Sequence, residues 1–480
     1  MTDSVDLLVV GGGISGAGVA LQAVQQGWRV MLVERDDFAS GSSSNSSKLV
    51  HGGLRYLKQG ALSLTRDAVQ AREQLLREAP GLVQPLPFLM PHHAGSGPAP
   101  QTLQLGLRLY DRLAGRRTRA WRSAQCMPWR LPAWRSAGLL GASGYEDAST
   151  DDARLTLRLL QEARQLGAHL HPRCTLEALE RDAQAQVVGA RLRGADGFSR
   201  RVATRCVIAC AGAWLGSWCP AVKLRPLRGS HLLLPAWRLP LPCAAAWSHP
   251  EDGRPVFAYP WLGAVLVGTT DVDHELGQSI AISANEQRYL LAGLAHAFPT
   301  AGVAAGDVRS TWAGVRPVIA SGQSVPSKES REHLVQADRG LVALGGGKLT
   351  TFHSMARAAL QAAAAWLPAP QHPPSAHMLP PSRDGVWGVL GAQIRQGERL
   401  PGTQTLISEV RHSLQHEQVH HLDDLLLRRT RLGLLQARHG LALLPLLQPH
   451  CHELLGWSAE RFAQEAERYQ DLVRRQHSLA

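Results

Sequence analysis

A glycine-rich turn between two short apolar segments constrains the N-terminal fold more than any other feature of the sequence. Asp6–Val10 is aliphatic and rich in valine, which predicts a buried parallel strand. Gly11–Gly16 follows at once, and helix-compatible sequence runs from Ala17 to about Gln26. A second predicted strand, Arg29–Val33, ends at Glu34. Strand, glycine turn, helix, strand and terminal acid in this order form the fingerprint of a dinucleotide-binding unit.

The residues of this turn suit a phosphate-bearing ligand. Gly11 permits the tight turn, Gly13 lets the backbone approach a pyrophosphate, and Gly16 lets the helix pack closely on the strand. Ser15 lies in the same turn, just before the helix N-terminus, where unpaired N–H groups and a partial positive charge favour phosphate. Glu34 can accept hydrogen bonds from a ribose.

A run of small hydroxyl side chains, Ser42–Ser47, leads into Lys48-Leu49-Val50-His51-Gly52-Gly53-Leu54-Arg55-Tyr56. Small residues let the backbone approach a ligand closely, whereas a flexible serine-rich loop would not explain the ordered second half. This stretch resembles the FAD-dependent glycerol-3-phosphate dehydrogenases of the aerobic, respiratory type, within the D-amino-acid-oxidase-like flavoprotein superfamily. Similar motifs recur later in the chain, over residues 6 to about 435.

Composition limits the class of protein. The chain of 480 residues is long enough for two or three domains, and its hydrophobic content of 44% is that of a globular protein. It contains no stretch of eighteen apolar residues and no signal-peptide pattern, so we expect neither a spanning helix nor secretion. The seven cysteines form no C-x-x-C pair, which favours core thiols in a reducing cytosol and predicts no metal site. A net charge of +12 suits anionic lipid, nucleic acid or an anionic substrate and does not separate them.

Further segments repeat the resemblance. Cys210-Ala211-Gly212 after a predicted strand is similar to a second flavoprotein signature, with Ala211 where threonine is usual. Leu341–Thr351 joins a strand, three glycines and a new helix, which predicts a second turn close to the flavin. Leu103–Ala137 is rich in arginine and tryptophan and fits an interfacial membrane patch or a solvated basic face equally well.

The expected fold is α/β (α+β overall): a Rossmann-like FAD-binding domain, an inserted antiparallel-sheet substrate domain and a C-terminal helical cap domain. We predict a discontinuous FAD-binding domain over residues 1–85, 145–225 and 332–367, and a substrate-binding domain over 86–144 and 226–331. Six prolines mark a linker over 368–383, and a helical domain follows over 384–480.

The resemblance implies FAD as cofactor and no metal. Together with the glycine turn it implies the following cofactor-binding residues: Gly11, Gly13, Ser15, Gly16, Glu34, Ser46, Ser47, Lys48, His51, Gly52, Gly53, Ala211, Gly212, Gly346, Gly347, Leu349 and Thr350.

Oxidation of a secondary alcohol requires removal of the hydroxyl proton and stabilisation of a developing alkoxide. The resemblance implies that Arg55, Tyr56 and Arg331 bind the substrate phosphate. It also implies that four catalytic residues lie near the reacting hydroxyl: His231, Thr270, Arg316 and Lys348. We expect His231 to be the general base, because its ordinary pKa is nearest neutrality, and Arg316 and Lys348 to stabilise the alkoxide.

The resemblance implies oxidation of sn-glycerol 3-phosphate to dihydroxyacetone phosphate, with hydride passing from C2 to flavin N5 and electrons to a membrane quinone. It implies a cytoplasmic protein attached peripherally to the inner face of the cell membrane, allows a homodimer and predicts no nucleic-acid partner. One alternative is a related FAD-dependent oxidoreductase or oxidase for another small anionic hydroxy acid or an amine. Another is a non-catalytic basic protein that binds flavin or nucleic acid, which the charge of +12 permits.

Overall fold

The structure is a computed structural model that describes residues 4–479 except residues 55, 56, 58, 59, 96, 98, 323–328, 330, 331 and 381. Its strands are β1 Leu7–Val10, β2 Val30–Val33, β3 Leu49–Val50, β4 Val83–His93, β5 Ala120–Ser123, β6 Leu139–Thr150, β7 His169–His171, β8 Thr175–Arg181, β9 Val187–Arg193, β10 Ser199–Ala203, β11 Val207–Ala209, β12 Leu224–Pro235, β13 Ala244–Ser248, β14 Pro255–Trp261, β15 Ala264–Gly268, β16 Val272–Asp273, β17 Ser310–Ile319, β18 His333–Asp338 and β19 Leu341–Gly346.

The α-helices are distributed along the whole chain. They are α1 Ile14–Gln25, α2 Leu62–Glu78, α3 Pro100–Ala114, α4 Met127–Arg130, α5 Asp152–Gln165, α6 Ala284–Ala297, α7 Phe352–Ala363, α8 Gly391–Ile394, α9 Ile407–His416, α10 Leu432–Leu435, α11 Leu444–Leu455 and α12 Ala459–Gln476.

The predicted parallel strands form a six-stranded sheet in the order β18-β19-β11-β1-β2-β7. All neighbours are parallel except the edge pair β18 and β19. The central strands β1 and β2 are almost fully buried, as their continuous apolar sequence predicts. Helices α1, α5 and α7 share one apolar core with this sheet. The glycine turn directly follows β1, so it lies at the carboxyl end of a central strand.

A ten-stranded sheet contains β3–β6 and β12–β17. Its strands are antiparallel except for the pair β13 and β4. Strands β4, β6 and β12 run across the predicted domain junctions at residues 85/86, 144/145 and 225/226. The domain bounds stay a prediction, but each of these strands belongs to the large sheet along its whole length.

One local prediction was wrong. The segment from Gly167 to Glu177 reads as a single strand in the sequence, but the structure divides it into β7 and β8. Arg173 has a left-handed φ of 55° between them, so the chain turns out of the parallel sheet. β8 then pairs with β9, and β8, β9 and β10 form a separate three-stranded sheet.

The C-terminal helices pack on the large sheet, and buried ion pairs join them to the cofactor domain. Arg428 and Arg429 both bind Asp37, which lies just beyond β2. Arg154 of α5 binds Glu417 through two hydrogen bonds of 2.8 and 2.9 Å. These side chains are almost fully buried, so each carboxylate depends on the arginine from the other domain.

The ion pairs of Asp37 with Arg428 and Arg429 predict that the stability of the fold depends on pH. Burial opposes ionisation of Asp37, but Arg429 and Arg428 hold the pKa of its carboxyl well below the ordinary value. Asp37→Asn should therefore lower the free energy of unfolding at pH 7 by about 3–5 kcal/mol, because two buried guanidinium groups lose their carboxylate. A carboxyl whose pKa is lowered by folding stabilises the folded state at pH values above its unfolded pKa of about 4. The difference in unfolding free energy between wild type and Asp37→Asn should therefore shrink as the pH falls below about 4.

Urea unfolding of both proteins at pH 7 and pH 3 measures this difference. Asp36→Asn is the matched control, because Asp36 is exposed and, among the described residues, its carboxylate pairs with the neighbouring Arg35. It should change the unfolding free energy by less than about 0.5 kcal/mol. If Asp37→Asn lowers the unfolding free energy equally at both pH values, the ionised Asp37 carboxylate is not the source of the stabilisation.

Candidate active site

One large cavity, of about 1530 Å³, lies between the six-stranded sheet, the large sheet and the C-terminal helices. Pockets for one small ligand are usually about 300–1,000 Å³, so this cavity has room for a dinucleotide and a second molecule. It begins at the turn between β1 and α1 and ends against the large sheet. Both predicted glycine turns and the serine run line it.

The turn after β1 accepts glycine alone at two positions. Gly11 has a φ of 108°, and a Cβ there would lie 2.5 Å from the carbonyl oxygen of Cys210. A Cβ on Gly16 would lie 1.9 Å from the carbonyl oxygen of Gly11. The chain therefore brings the N-terminus of α1 directly to the cavity, where its N–H groups can bind phosphate.

Glu34 closes this end of the cavity at the carboxyl end of β2. Its carboxylate accepts hydrogen bonds from the backbone N–H groups of Gly12 at 2.7 Å and Asp36 at 2.9 Å. Burial raises the pKa of Glu34 despite these bonds. The side chain lines the cavity and fits the predicted role of ribose acceptor.

The serine run forms the middle of the cavity wall, and side chains from both large domains hold it. Ser43 Oγ accepts from the N–H of Ile14 at 2.9 Å, which ties the run to the start of α1. The hydroxyl of Ser46 donates to Asp152 at 2.6 Å, and that of Ser47 lies 2.9 Å from His231 Nε2. The loop is thus ordered by long-range contacts.

Three of the predicted catalytic residues line the far end of the cavity: Thr270, Arg316 and Lys348. Arg316, on β17, donates to Asp271 at 3.0 Å and to the Thr269 hydroxyl at 2.9 Å. Thr270 donates to Glu286 at 2.6 Å. Lys348 follows Gly346 and Gly347, whose φ values of 72° and 73° turn the chain after β19. Cationic groups from two separate segments therefore face one space.

His231, the fourth predicted catalytic residue, lies behind the wall of the cavity. Its side chain is fully buried (0% exposed) and does not line the cavity. The ring stacks on Trp312 with centroids 5.2 Å apart, and burial, then Arg316, lower the pKa of His231 well below its ordinary value. A neutral, buried imidazole reaches the cavity only through Ser47, whereas His51 lines the cavity itself.

Three predicted cofactor residues also lie behind the wall of the cavity: Gly16, Lys48 and Gly52. The Lys48 side chain points away and forms a buried ion pair with Asp152 at 2.8 Å. Gly52 N–H donates to Asp147 at 3.0 Å, and a Cβ there would lie 2.3 Å from the Tyr110 hydroxyl oxygen. These residues fit a role in shaping the loop.

The other predicted cofactor residues all line the cavity: Gly11, Gly13, Ser15, Glu34, Ser46, Ser47, His51, Gly53, Ala211, Gly212, Gly346, Gly347, Leu349 and Thr350. Predicted phosphate ligands Arg55, Tyr56 and Arg331 lie outside the described residues.

Comparison with known proteins identifies the family. The profile of the FAD dependent oxidoreductases matches residues 6–363, and that of the C-terminal domain of alpha-glycerophosphate oxidase matches residues 384–462. The chain belongs to the FAD-dependent oxidoreductase family. The predicted resemblance and the predicted cofactor, FAD, are confirmed.

Curated relatives of this oxidoreductase include glycerol-3-phosphate dehydrogenases. The chain is 36% identical over 363 residues to the aerobic glycerol-3-phosphate dehydrogenase of Staphylococcus epidermidis RP62A, a match covering 73% of this chain and 65% of that protein. To the dehydrogenase of Staphylococcus aureus USA300 it is 35% identical over 367 residues, covering 74% and 66%. The chain thus spans about two thirds of these curated relatives.

Solved structures support the same fold. Glycerol-3-phosphate dehydrogenase from Bacillus halodurans, complexed with FAD, superimposes with a TM-score of 0.77 at 24% identity, covering 98% of this chain and 95% of that one. L-alpha-glycerophosphate oxidase from Mycoplasma pneumoniae superimposes with a TM-score of 0.63 at 17% identity, covering 79% and 98%. The predicted fold class is confirmed.

The cavity of this FAD-dependent oxidoreductase suits its cofactor at each part. The glycine turn and the α1 N-terminus would hold the pyrophosphate, and Glu34 the adenosine ribose. The serine run and residues 346–350 would hold the flavin end. Over the described residues, no helix is both long and apolar enough to cross a membrane.

Sequence reasoning missed the contribution of the C-terminal domain to the site. Arg428 and Arg431 line the cavity, although they lie far along the chain from the cofactor motifs. The only signal was the cluster of arginines in Arg428-Arg429-Thr430-Arg431 after an apolar run. Both side chains are buried, which is rare for arginine and calls for carboxylate partners.

Proposed function

We propose that this oxidoreductase converts sn-glycerol 3-phosphate to dihydroxyacetone phosphate and passes the electrons to a membrane quinone. The observation that carries the proposal is the pairing, in one cavity, of a dinucleotide turn with the cationic end formed by Arg316 and Lys348. A phosphomonoester and a developing alkoxide are both anionic and require such cations. The names of the Staphylococcus relatives support the same substrate.

The reaction divides between cofactor and protein. FAD, when bound, accepts the hydride from C2 of the alcohol at flavin N5 and requires no metal. Arg316, held by Asp271 and Thr269, and Lys348 stabilise the oxygen of the reacting alcohol. The phosphate is assigned to Arg55, Tyr56 and Arg331 from the sequence alone.

The geometry favours His51 over His231 as the group that takes the hydroxyl proton. His51 lines the cavity, and a general base has to lie within hydrogen-bonding reach of the proton that it removes. His231 has its Nε2 2.9 Å from Ser47 Oγ, so we assign it to positioning the Ser47 hydroxyl at the cavity wall. The sequence-based choice of His231 as base is thereby revised.

The first test is the visible spectrum of the purified flavoprotein under anaerobic conditions. Addition of sn-glycerol 3-phosphate should bleach the flavin, and dihydroxyacetone phosphate should form in equal amount. Glycerol and glycine are the controls, because neither offers a phosphate to the cationic end of the cavity. Flavin that stays oxidised with sn-glycerol 3-phosphate would reject this substrate.

The roles of the two histidines are tested by His51→Asn and His231→Asn. At saturating substrate, His51→Asn should slow anaerobic flavin reduction by about 10²–10⁴-fold, as expected for loss of a general base. His231→Asn should slow it by about tenfold, the size of effect seen when a positioning group is lost. FAD content is measured by absorbance and the rates are compared per bound FAD, because His51 is also a predicted cofactor-binding residue.

His169 is the matched control, because it is exposed on β7 away from the cavity. His169→Asn should leave flavin reduction unchanged. A larger loss of rate in His231→Asn than in His51→Asn would instead restore His231 as the base.

The proposed membrane attachment rests on helix α3. Leu105, Arg108, Leu109 and Arg112 are all exposed and, at spacings of three and four residues, form one stripe of the helix. Leu105 is 66% exposed, and Trp129, in the same arginine- and tryptophan-rich segment, is 86% exposed. Apolar and cationic side chains together suit the headgroup region of an anionic bilayer.

The same helix supports the proposed quinone acceptor. Leu103 and Gly106 of α3 line the cavity, as do Phe88 and Met90 of β4. These four residues form an apolar part of the cavity wall, in contrast to the cationic part at Arg316. An α3 helix lying at a bilayer surface would bring this apolar part of the wall close to the lipid phase, from which a quinone could enter.

Leu105→Glu with Leu109→Glu should reduce binding to vesicles of phosphatidylglycerol and phosphatidylethanolamine by at least about tenfold, because two apolar anchors become anionic. Vesicle flotation measures the binding. The control is Val389→Glu, which changes a residue that is 77% exposed in the C-terminal region. Equal loss in both variants would contradict an anchoring role for α3.

A further inference from the structure

Lys48 has an unusual environment for a lysine in a loop. Its side chain is fully buried, its φ of 52° is left-handed, and it does not line the cavity although Ser46, Ser47 and Leu49 do. A non-glycine residue with this φ is uncommon and is held there by its surroundings. The backbone at Lys48 therefore turns the hydroxyl side of the loop towards the cavity and sends the ammonium group inward.

A cage of polar and aromatic groups surrounds this ammonium group. Nζ donates to Asp152 Oδ1 and to the carbonyl oxygen of Ser44, each at 2.8 Å. It also lies 5.1 Å from the ring centre of Trp261 and 4.9 Å from that of Trp312. Burial, then nearby Arg431, lower the pKa of Lys48 to about 8, so Lys48 is still mostly charged at neutral pH.

Asp152 connects this cage to the cavity wall. Its Oδ2 accepts from the N–H of Ser46 at 2.9 Å and from the Ser46 hydroxyl at 2.6 Å. Its Oδ1 accepts from Lys48 and, at 2.5 Å, from Arg431 of the C-terminal domain. One buried carboxylate thus fixes the loop and receives one cation from each domain.

Arg431 completes the charge balance. It also binds Asp151 at 2.7 Å and donates to the carbonyl oxygen of Leu427 at 2.7 Å. Two carboxylates and two cations then form a neutral buried cluster, in which removal of either cation leaves a net buried negative charge. Arg431 itself lines the cavity, so the cluster extends from the C-terminal domain to the cofactor site.

We propose that Arg431 and Lys48 are positioning residues for the flavin: through Asp152 they fix Ser46, the neighbour of Ser47, at the cavity wall, which makes the C-terminal domain part of the cofactor site. The proposal depends on FAD, the cofactor of the family, and not on the identity of the substrate. It predicts that a change in the C-terminal domain alters the environment of the flavin, beyond its effect on domain docking.

The test compares Arg431→Met with Arg154→Met in the full-length holoenzyme. Arg154 is the matched control, because its guanidinium also pairs with a carboxylate across the two domains, Glu417. Its backbone N–H donates to Asp151, which the substitution keeps, and within the described residues its guanidinium forms no hydrogen bond with Asp152 or the serine run. Each variant is measured for its FAD dissociation constant, the absorption maxima of its flavin, its flavin midpoint potential and its thermal stability.

Arg431→Met should raise the FAD dissociation constant by at least about tenfold and shift both the absorption maxima and the midpoint potential. Lys48→Met should act in the same direction, and the double variant should show less than the sum of the two effects, because both cations bind one carboxylate. Arg154→Met should lower thermal stability and leave the three flavin properties unchanged.

Arg431→Lys keeps the positive charge and serves if Arg431→Met does not fold. Lysine has no planar fork and cannot match the paired contacts of Arg431 with Asp151 and Asp152, so a smaller shift in the same direction is expected. Unchanged flavin properties in Arg431→Met, or in Arg431→Lys where only that variant folds, would overturn the proposal. Equal flavin shifts in Arg154→Met would also overturn it, since they would point to domain docking alone.

Discussion

The pairing of buried carboxylates in the cofactor domain with arginines from the C-terminal domain is the interaction on which this structure depends most. Asp37 follows β2 and Asp152 begins α5, so both lie beside the carboxyl ends of the parallel strands where the cofactor cavity opens. A buried carboxylate without a partner is strongly destabilising, and Arg428, Arg429 and Arg431 provide the partners. The C-terminal helices therefore supply the charge partners of the buried carboxylates at the cofactor cavity.

The sequence predicts those parts of the fold and site that local chemistry determines. The turn between β1 and α1 can be predicted from the sequence because a side chain on Gly11 would clash with Cys210. Apolar runs likewise predict the buried strands, and amphipathic spacing predicts α2 at its observed bounds, Leu62–Glu78. The directions in which the side chains of Lys48 and His231 point could not be predicted in this way, because they depend on Asp152 and Trp312, which are distant in sequence. Arg431 meets Asp151 across 280 positions, and no local pattern encodes that pairing.

The cavity wall presents three chemically different environments. The glycine turn favours phosphate through backbone N–H groups, Arg316 and Lys348 favour an anion through full charges, and the end near Phe88 and Met90 is apolar. The fold is shared by oxidoreductases with different substrates, so it does not select among them. Selection has to come from the cationic end, where two guanidinium or ammonium groups would be a poor environment for a neutral or cationic amine.

The position of His231 illustrates how burial separates the proposed roles of two histidines. An imidazole stacked on Trp312 and close to the charge of Arg316 remains neutral at physiological pH, because both burial and the cation disfavour protonation. Such a ring keeps one nitrogen as an acceptor, and that nitrogen can orient the Ser47 hydroxyl without competing for the substrate proton. Taking the proton requires a place within reach of the substrate, whereas holding the Ser47 hydroxyl does not, and of these two histidines only His51 lines the cavity.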